Sequence, residues 1–379
     1  MFTKNEIRSV FGNQPIPLFA RDKITLTHNG HMYTIHTSIE PELQDFISSK
    51  LEKRTSQRIG IVILEPSSGR IMAMSGYDKF KSSKNPCIDS RFPAASIFKI
   101  VTAAAAIEKY GFKPSTTFTY SGRKHTLYRS QLKEQKNRYT HRISFKDSFA
   151  QSVNPVFGKL GIHFLEASEL EKYARLFGFN QVIPFDYALA PSAFVLTEDP
   201  FGRAEIASGF NRKTTLSPLH GALMASAICN RGWIVEPSLI DEILDEKGKV
   251  VYQREKIKIG QAISPETASI ISQLMEATIR SGTSRKAFRG YLRDKTLSTL
   301  VIGGKTGSIS SDSNEIKYDW FVGFAGRRNH SRMIALSILV AHDGYIGKKA
   351  SSYARMAITT YFNNSFERGL AQTEKRRPS

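Results

Sequence analysis

The sequence predicts an α+β fold: an antiparallel sheet with helices on both faces, joined by a mostly helical subdomain. Three observations carry that expectation. Strand-like runs at 59–64 and 70–74 flank the turn string Pro66-Ser67-Ser68-Gly69, a hairpin signal. A long helical middle follows. Three further strand-like stretches then come in succession, at 299–302, 319–326 and 333–340, separated by polar turns, and consecutive strands of this kind pair antiparallel.

Residues 40–54 place Leu43, Phe46, Ile47 and Leu51 at helical spacing, giving an amphipathic helix ahead of the hairpin. After it, Pro93-Ala94-Ala95 introduces an apolar run from Ile97 to Tyr110 that stops at Gly111, a buried helix with a start signal and a glycine stop. The middle, 148–227, reads as mostly helical, with segments at 169–177 and 218–228. In Ile263-Ser264-Pro265-Glu266, Ser264 suits the N-cap and Pro265 the first position of a helix over 267–280. A closing helix is expected around 350–362. The domain expectation is an N-terminal extension over 1–36, one large domain over 37–365, and a polar, basic, disordered tail over 366–379.

With 379 residues and 40% hydrophobic content, the chain can bury a large core. Nothing approaches the roughly eighteen uninterrupted apolar residues of a membrane span, and residues 1–13 carry charges where a signal peptide needs an apolar stretch. Cys87 and Cys229 are too few for a disulfide framework and are expected to be free buried thiols. No metal or cofactor is expected. The formal charge is +20, and residues 123–146 hold eight Lys and Arg against one acid, Glu134, with Tyr128 and Tyr139 interleaved. A nucleic-acid reader would centre on such a segment, but the expectation is a solvated loop or hairpin flanking a cleft and drawing in an anionic substrate. Nucleic acid is not expected as a partner.

Three short strings stand in order: Ser96-Ile97-Phe98-Lys99, Ser152-Val153-Asn154 and Lys305-Thr306-Gly307. Singly they are weak. Ser-x-x-Lys recurs at Ser121 to Lys124 and Ser130 to Lys133, in a polar stretch with no apolar period that reads as solvated surface, and Ser-x-Asn recurs at Ser83. Together they describe serine acyl transfer with a lysine base. A serine hydroxyl needs a neighbour to take its proton, and Lys99 lies one turn along the same helical face. To act as a base Lys99 must be neutral, which requires burial and a second cation, for which Lys305 is the candidate. Ser152 suits a proton relay to a leaving amine, and Asn154 suits orienting a substrate amide or holding Lys99. Lys305, Thr306 and Gly307 follow a strand, so an extended peptide could pair along that edge, with Gly307 permitting close approach. The N–H groups of Ser96 and Ser308 are candidate oxyanion donors, a contribution on the order of 3–4 kcal/mol per donor in related acyl-transfer enzymes. Trp320 and His220 read as core residues.

The ordered set resembles the transpeptidase domain of penicillin-binding proteins, and the likeness covers roughly residues 37–361. It extends to Ile39-Glu40-Pro41-Glu42-Leu43-Gln44, to the hairpin from Leu64 to Met74, to Leu216-Ser217-Pro218-Leu219 with Asn230-Arg231-Gly232, and to Asp319-Trp320-Phe321-Val322-Gly323-Phe324. The resemblance implies a β-lactamase/transpeptidase-like fold. It assigns catalysis to Ser96, Lys99, Ser152, Asn154 and Lys305, and substrate binding to Thr306, Gly307 and Ser308. It also implies that a D-alanyl-D-alanine stem peptide of peptidoglycan acylates the serine, releasing D-alanine before the acyl group passes to an amine of a neighbouring strand. β-Lactams would acylate the same serine. Ala95, Ile97 and Ser308 depart from the family's frequent Gly, Thr and Thr.

The same acyl-enzyme also serves a D,D-carboxypeptidase or endopeptidase, with water as acceptor, and a non-catalytic β-lactam- or peptidoglycan-binding protein would keep the fold alone. A β-lactamase needs an efficient deacylating base, and Glu166 and Glu169 read as an exposed helix face. The implied location is the cell envelope or periplasm. Only about 36 residues precede the resemblance, short of a glycosyltransferase domain or a pedestal, so the expectation is an incorrectly assigned start, a separated domain or an anchor supplied by another protein, such as a membrane-anchored cell-wall synthesis partner.

Overall fold

Every residue from Ile59 to Leu64 is buried, as in a strand covered on both faces. In the computed structural model, which describes residues 2–11, 21–81, 85–134, 137–327 and 332–374, this run belongs to the strand Ser56–Leu64 inside a five-stranded antiparallel sheet. The spatial order is Leu300–Ser310, Ile316–Arg327, Met333–Asp343, Ser56–Leu64 and Ile71–Asp78, so the early hairpin joins the three late strands as the sequence suggests. Alternation sorts the side chains. Val62, Leu64, Trp320, Val322 and Leu339 enter one apolar cluster, while Ile61, Ile63, Phe321, Ile338 and Val340 enter another on the opposite face.

The helices in chain order are α1 Lys4–Phe11, α2 Pro41–Ser49, α3 Lys99–Tyr110, α4 Phe145–Ala150, α5 Asn154–His163, α6 Ala167–Leu176, α7 Pro200–Ser208, α8 Pro218–Cys229, α9 Pro265–Arg280 and α10 Ala350–Glu374. Helices α8 and α9 pack on one face of the sheet and α2 and α10 on the other. Helix α8 is buried nearly all round, which its apolar sequence permits only in a protein centre. Its cap Ser217 accepts from the His220 N–H at 3.1 Å, and Ser264 accepts from the Thr267 N–H at 3.2 Å as the capping sequence of α9 predicts. Helices α3 to α7 form the helical subdomain, and Gly111 ends α3 in a left-handed conformation, φ 61°.

Several boundaries differ from expectation. The strand expected at 299–302 runs Leu300–Ser310, so Lys305 to Ser308 lie within it rather than after it. The strand runs on through Gly303 and Gly304, where a side chain would overlap the rings of Phe324 and Phe321, which press against the bare backbone. The expected extension 1–36 contains most of two strands, Lys23–His28 and His31–Thr37, which pair with each other; the second also pairs with Ile240–Leu244, and that strand with Val250–Gln253, in one four-stranded sheet. The backbone of 366–374 continues α10, while 375–379 lie outside the described residues. Cys87 and Cys229 are free, and burial pushes both thiols up to about 12. His220, 1% exposed, holds its Nε2 2.7 Å from the Phe177 carbonyl oxygen, and burial pushes it down to about 4, so it is a neutral core histidine.

Trp320 is fully buried, and its Nε1–H donates to the Pro93 carbonyl at 2.9 Å, tying the sheet to the segment just before Ser96. Trp320→Phe keeps most of the apolar contact but leaves that carbonyl unpaired; urea unfolding should show a loss of about 1–3 kcal/mol.

Candidate active site

Ser96 does not open an α-helix. It sits in a 3₁₀ turn, Ala95–Phe98, that leads into α3 at Lys99. Side chains three residues apart eclipse in a 3₁₀ turn, which brings Lys99 Nζ to 2.8 Å from Ser96 Oγ. Ala95 takes a left-handed backbone, φ 49°, a conformation that glycine adopts more readily and that the family's frequent glycine would adopt without strain. The turn is held from outside by Gly209, φ 64°, where any Cβ would overlap the Ala95 carbonyl oxygen and lie 2.9 Å from the Ser96 nitrogen.

Lys99 is fully buried and has two partners besides Ser96: Asn154 Oδ1 at 2.7 Å and the Ser208 carbonyl oxygen at the end of α7. Both partners only accept hydrogen bonds. A neutral amine has two N–H groups and one lone pair, so those acceptors take both donors and the lone pair faces the Ser96 hydroxyl. Burial first, and then the nearby Lys305 charge, hold Lys99 well below the ordinary lysine range. The N-terminal end of α3, where a positive charge is disfavoured, acts in the same direction.

Lys305 is equally buried and donates to Ser152 Oγ at 2.9 Å and to the Thr306 carbonyl at 2.8 Å; burial pushes it down to about 7. Ser152 is left-handed, φ 55°, and Asn154 begins α5. An ordinary helix cap would explain that pair, but Val153 occupies the cap position and makes no side-chain cap bond. Asn154 instead reaches Lys99 through Oδ1 and donates from Nδ2 to the His125 carbonyl at 3.0 Å.

The five polar residues form two hydrogen-bonded groups, Ser96–Lys99–Asn154 and Lys305–Ser152, with the Lys305 charge acting on Lys99 across the site. The other three predicted residues line its edge. Gly307 packs against the turn at 94–97, Thr306 shares a hydrogen bond with Thr283, and Ser308 is exposed on the outer strand of the sheet. Ser208, Gly209, Lys124 and His125 escape sequence analysis. Gly209 reads as a helix stop, and nothing in spacing aims a carbonyl at Lys99. The Ser-x-Asn string at Ser83 lies outside the described residues. Among the described residues, no group of three or more His, Cys, Asp or Glu could hold a metal ion.

Both buried lysines hold their protons less tightly folded than unfolded. From about 7, the folded value of Lys305, up to the ordinary 10.5, the unfolded chain binds more protons, so stability rises with pH across that window. Urea unfolding at about pH 7 and about pH 9 should show this rise, and Lys305→Met should reduce it.

Comparison with known proteins places this geometry. The model of the penicillin binding protein transpeptidase domain matches residues 59–359. Peptidoglycan D,D-transpeptidase PbpA of Mycolicibacterium smegmatis is 23% identical over 347 residues, covering 82% of this chain and 67% of that protein. Stage V sporulation protein D of Bacillus subtilis is 26% identical over 281 residues, covering 70% of this chain but only 42% of its own length. Among solved structures, the D,D-transpeptidase domain of a peptidoglycan glycosyltransferase from Eggerthella lenta superposes with a TM-score of 0.72 at 22% identity, covering 87% of this chain and 83% of that one. Because the family match spans most of the 379 residues and includes all three strings, the chain belongs to the penicillin-binding protein transpeptidase domain family.

Proposed function

We propose that this chain is a serine-type peptidoglycan D,D-transpeptidase that works through an acyl-enzyme on Ser96. The observation that carries the reading is the arrangement at Lys99, whose Nζ lies against two acceptor-only oxygens, Asn154 Oδ1 and the Ser208 carbonyl, and 2.8 Å from Ser96 Oγ, so that the neutral amine would spend both N–H groups on those acceptors and turn its lone pair to the Ser96 hydroxyl. Ser96 Oγ attacks the carbonyl carbon of the D-alanyl-D-alanine bond as its proton passes to Lys99. The N–H groups of Ser96 and Ser308 hold the oxyanion. The C–N bond then breaks, the Lys305–Ser152 pair delivers a proton to the departing D-alanine nitrogen, and the proton on Lys99 replaces it. An amine of a neighbouring strand attacks the ester and loses a proton, the Oγ–C bond breaks, and Ser96 recovers its hydrogen.

The strand Leu300–Ser310 lies at the sheet edge, where an extended stem peptide would add a strand. Glu166 and Glu169 are committed elsewhere: Glu169 accepts from the Glu166 N–H at 2.9 Å and pairs with Lys109, which disfavours a β-lactamase's deacylating base at that position. β-Lactams, which form an acyl-enzyme with penicillin-binding protein A of Mycobacterium tuberculosis, act here as covalent inhibitors at Ser96. No helix among the described residues is long and apolar enough to cross a membrane. The substrate proposed for this enzyme lies in the cell envelope.

Incubation with a fluorescent penicillin should label wild type covalently and leave Ser96→Ala unlabelled; equal labelling of the two would refute the assignment. Lys99→Ala should fold normally and acylate at least about a hundredfold more slowly, the low end of general-base contributions. A stem pentapeptide should yield a cross-linked product when an amine acceptor is supplied, whereas D-alanine release alone would identify a carboxypeptidase.

A further inference from the structure

Residues 121–134 look solvated in the sequence, and most of their charges are exposed, but the segment is docked. Leu127 and Leu132 are buried with Ala204 in a small apolar cluster, Lys159 Nζ pairs with Glu134 at 2.9 Å, and His163 Nε2 lies 3.0 Å from the Leu132 carbonyl oxygen. At the centre is Gln131, 6% exposed, with every hydrogen-bonding position of its carboxamide in use. Its Nε2 donates to the Ser121 carbonyl at 2.9 Å and the Arg123 carbonyl at 3.1 Å. Its Oε1 accepts from the Tyr128 N–H and the Thr126 hydroxyl, each at 3.0 Å. One side chain thus fastens the loop 121–128 at four points.

That loop presents two consecutive carbonyls to one residue. The Lys124 carbonyl accepts from the Asn154 backbone N–H at 2.7 Å, and the His125 carbonyl accepts from Asn154 Nδ2 at 3.0 Å. The second bond settles which end of the Asn154 carboxamide faces Lys99, because Nδ2 donating to His125 leaves Oδ1 to accept from Lys99 Nζ at 2.7 Å. Lys124 Nζ further ties the loop to Gln151 Oε1 at 2.6 Å, beside Ser152. The His125 ring lies within electrostatic reach of the same centre: burial first, then the charges of Lys99, Lys305 and Lys124, lower its pKa against an opposing hydrogen bond to the Ser152 backbone.

We propose that Gln131 is a positioning residue for Ser96 acylation, fixing the loop 121–128 so that its carbonyls orient Asn154 and, through it, the Lys99 lone pair. The Ser121-x-x-Lys124 string, a chance copy of the nucleophile pattern, supplies part of the frame that holds the real one. Gln131 touches neither Ser96 nor Lys99, so its effect belongs to the chemical step and not to binding.

This inference rests on the acyl-transfer reading above and is tested in the full-length chain with a fluorescent penicillin, resolving the acylation rate constant from the constant for prior non-covalent binding. Gln131→Leu removes all four bonds at similar volume. The rate constant should fall on the order of tenfold to a hundredfold, the range expected when a catalytic group is misplaced, while the binding constant changes less than about twofold. In an Asn154→Ala background the same substitution should add less than about twofold, since the route through Asn154 is already cut. Full multiplicative loss in the double variant, or wild-type acylation by Gln131→Leu, would overturn the proposal. If Gln131→Leu does not fold, Gln131→Glu, which retains the acceptors but loses both donors, must still slow acylation with binding unchanged; a wild-type rate there counts against it equally. Failure of wild type to label would remove the acyl-transfer reading together with this one.

Discussion

Two lysines with no solvent exposure, both pushed down by burial and Lys99 further by the charge of Lys305, are the constraint on which the rest of this structure depends. Among the described residues, neither has the carboxylate partner that usually justifies a buried cation. Their neighbours are hydroxyl, carboxamide and carbonyl oxygens, with the Phe157 ring 5.5 Å from Lys99 Nζ and the Phe149 ring 5.5 Å from Lys305 Nζ. Such surroundings hold one charge far better than two. A neutral Lys99 in these surroundings would have one available direction for its lone pair, toward Ser96.

The fold maintains that unfavourable arrangement by assembling the pair from separate units. Lys99 belongs to the helical subdomain and Lys305 to the edge strand of the sheet, so neither lysine can leave the cluster without disturbing a core. Two of the left-handed non-glycine positions lie at the seam: Ala95 directly precedes the first serine string and Ser152 opens the second. Each is clamped, Ala95 by the close approach of Gly209 and Ser152 by Lys305. Trp320 closes the circuit by joining the sheet to Pro93, two residues before the strain begins.

Much of this was legible in the sequence where local pattern and tertiary role coincide. The paired apolar runs of the hairpin, the Ser264-Pro265 cap and the all-round apolar α8 announce their own structure. The pairing of Ser96 with Lys99 was legible too, because a spacing of three puts them on one face in either an α-helix or a 3₁₀ turn. Other features depend on partners distant in sequence. The strand runs on through Gly303 and Gly304, which Phe321 and Phe324 cover, and that covering comes only with an eleven-residue strand pairing. The loop 121–128 has the composition of solvent-exposed chain, and its order derives from Gln131, Leu127 and Leu132 packing beneath α5 and α7. Backbone groups are least legible of all: the carbonyls of Ser208, Lys124 and His125 carry the geometry of the site, and any residue type could have supplied them.

The central claim is that Lys99 rests as a neutral amine, and NMR of protein labelled with ¹³C at the lysine ε-carbon reads this most directly. Across a titration, one resonance, identified by its loss in Lys99→Arg, should hold the neutral-amine position at about pH 7 and titrate well below the ordinary lysine value of about 10.4. A Lys99 resonance that remains an ammonium until pH 10 or so, alongside the surface lysines, would contradict the account.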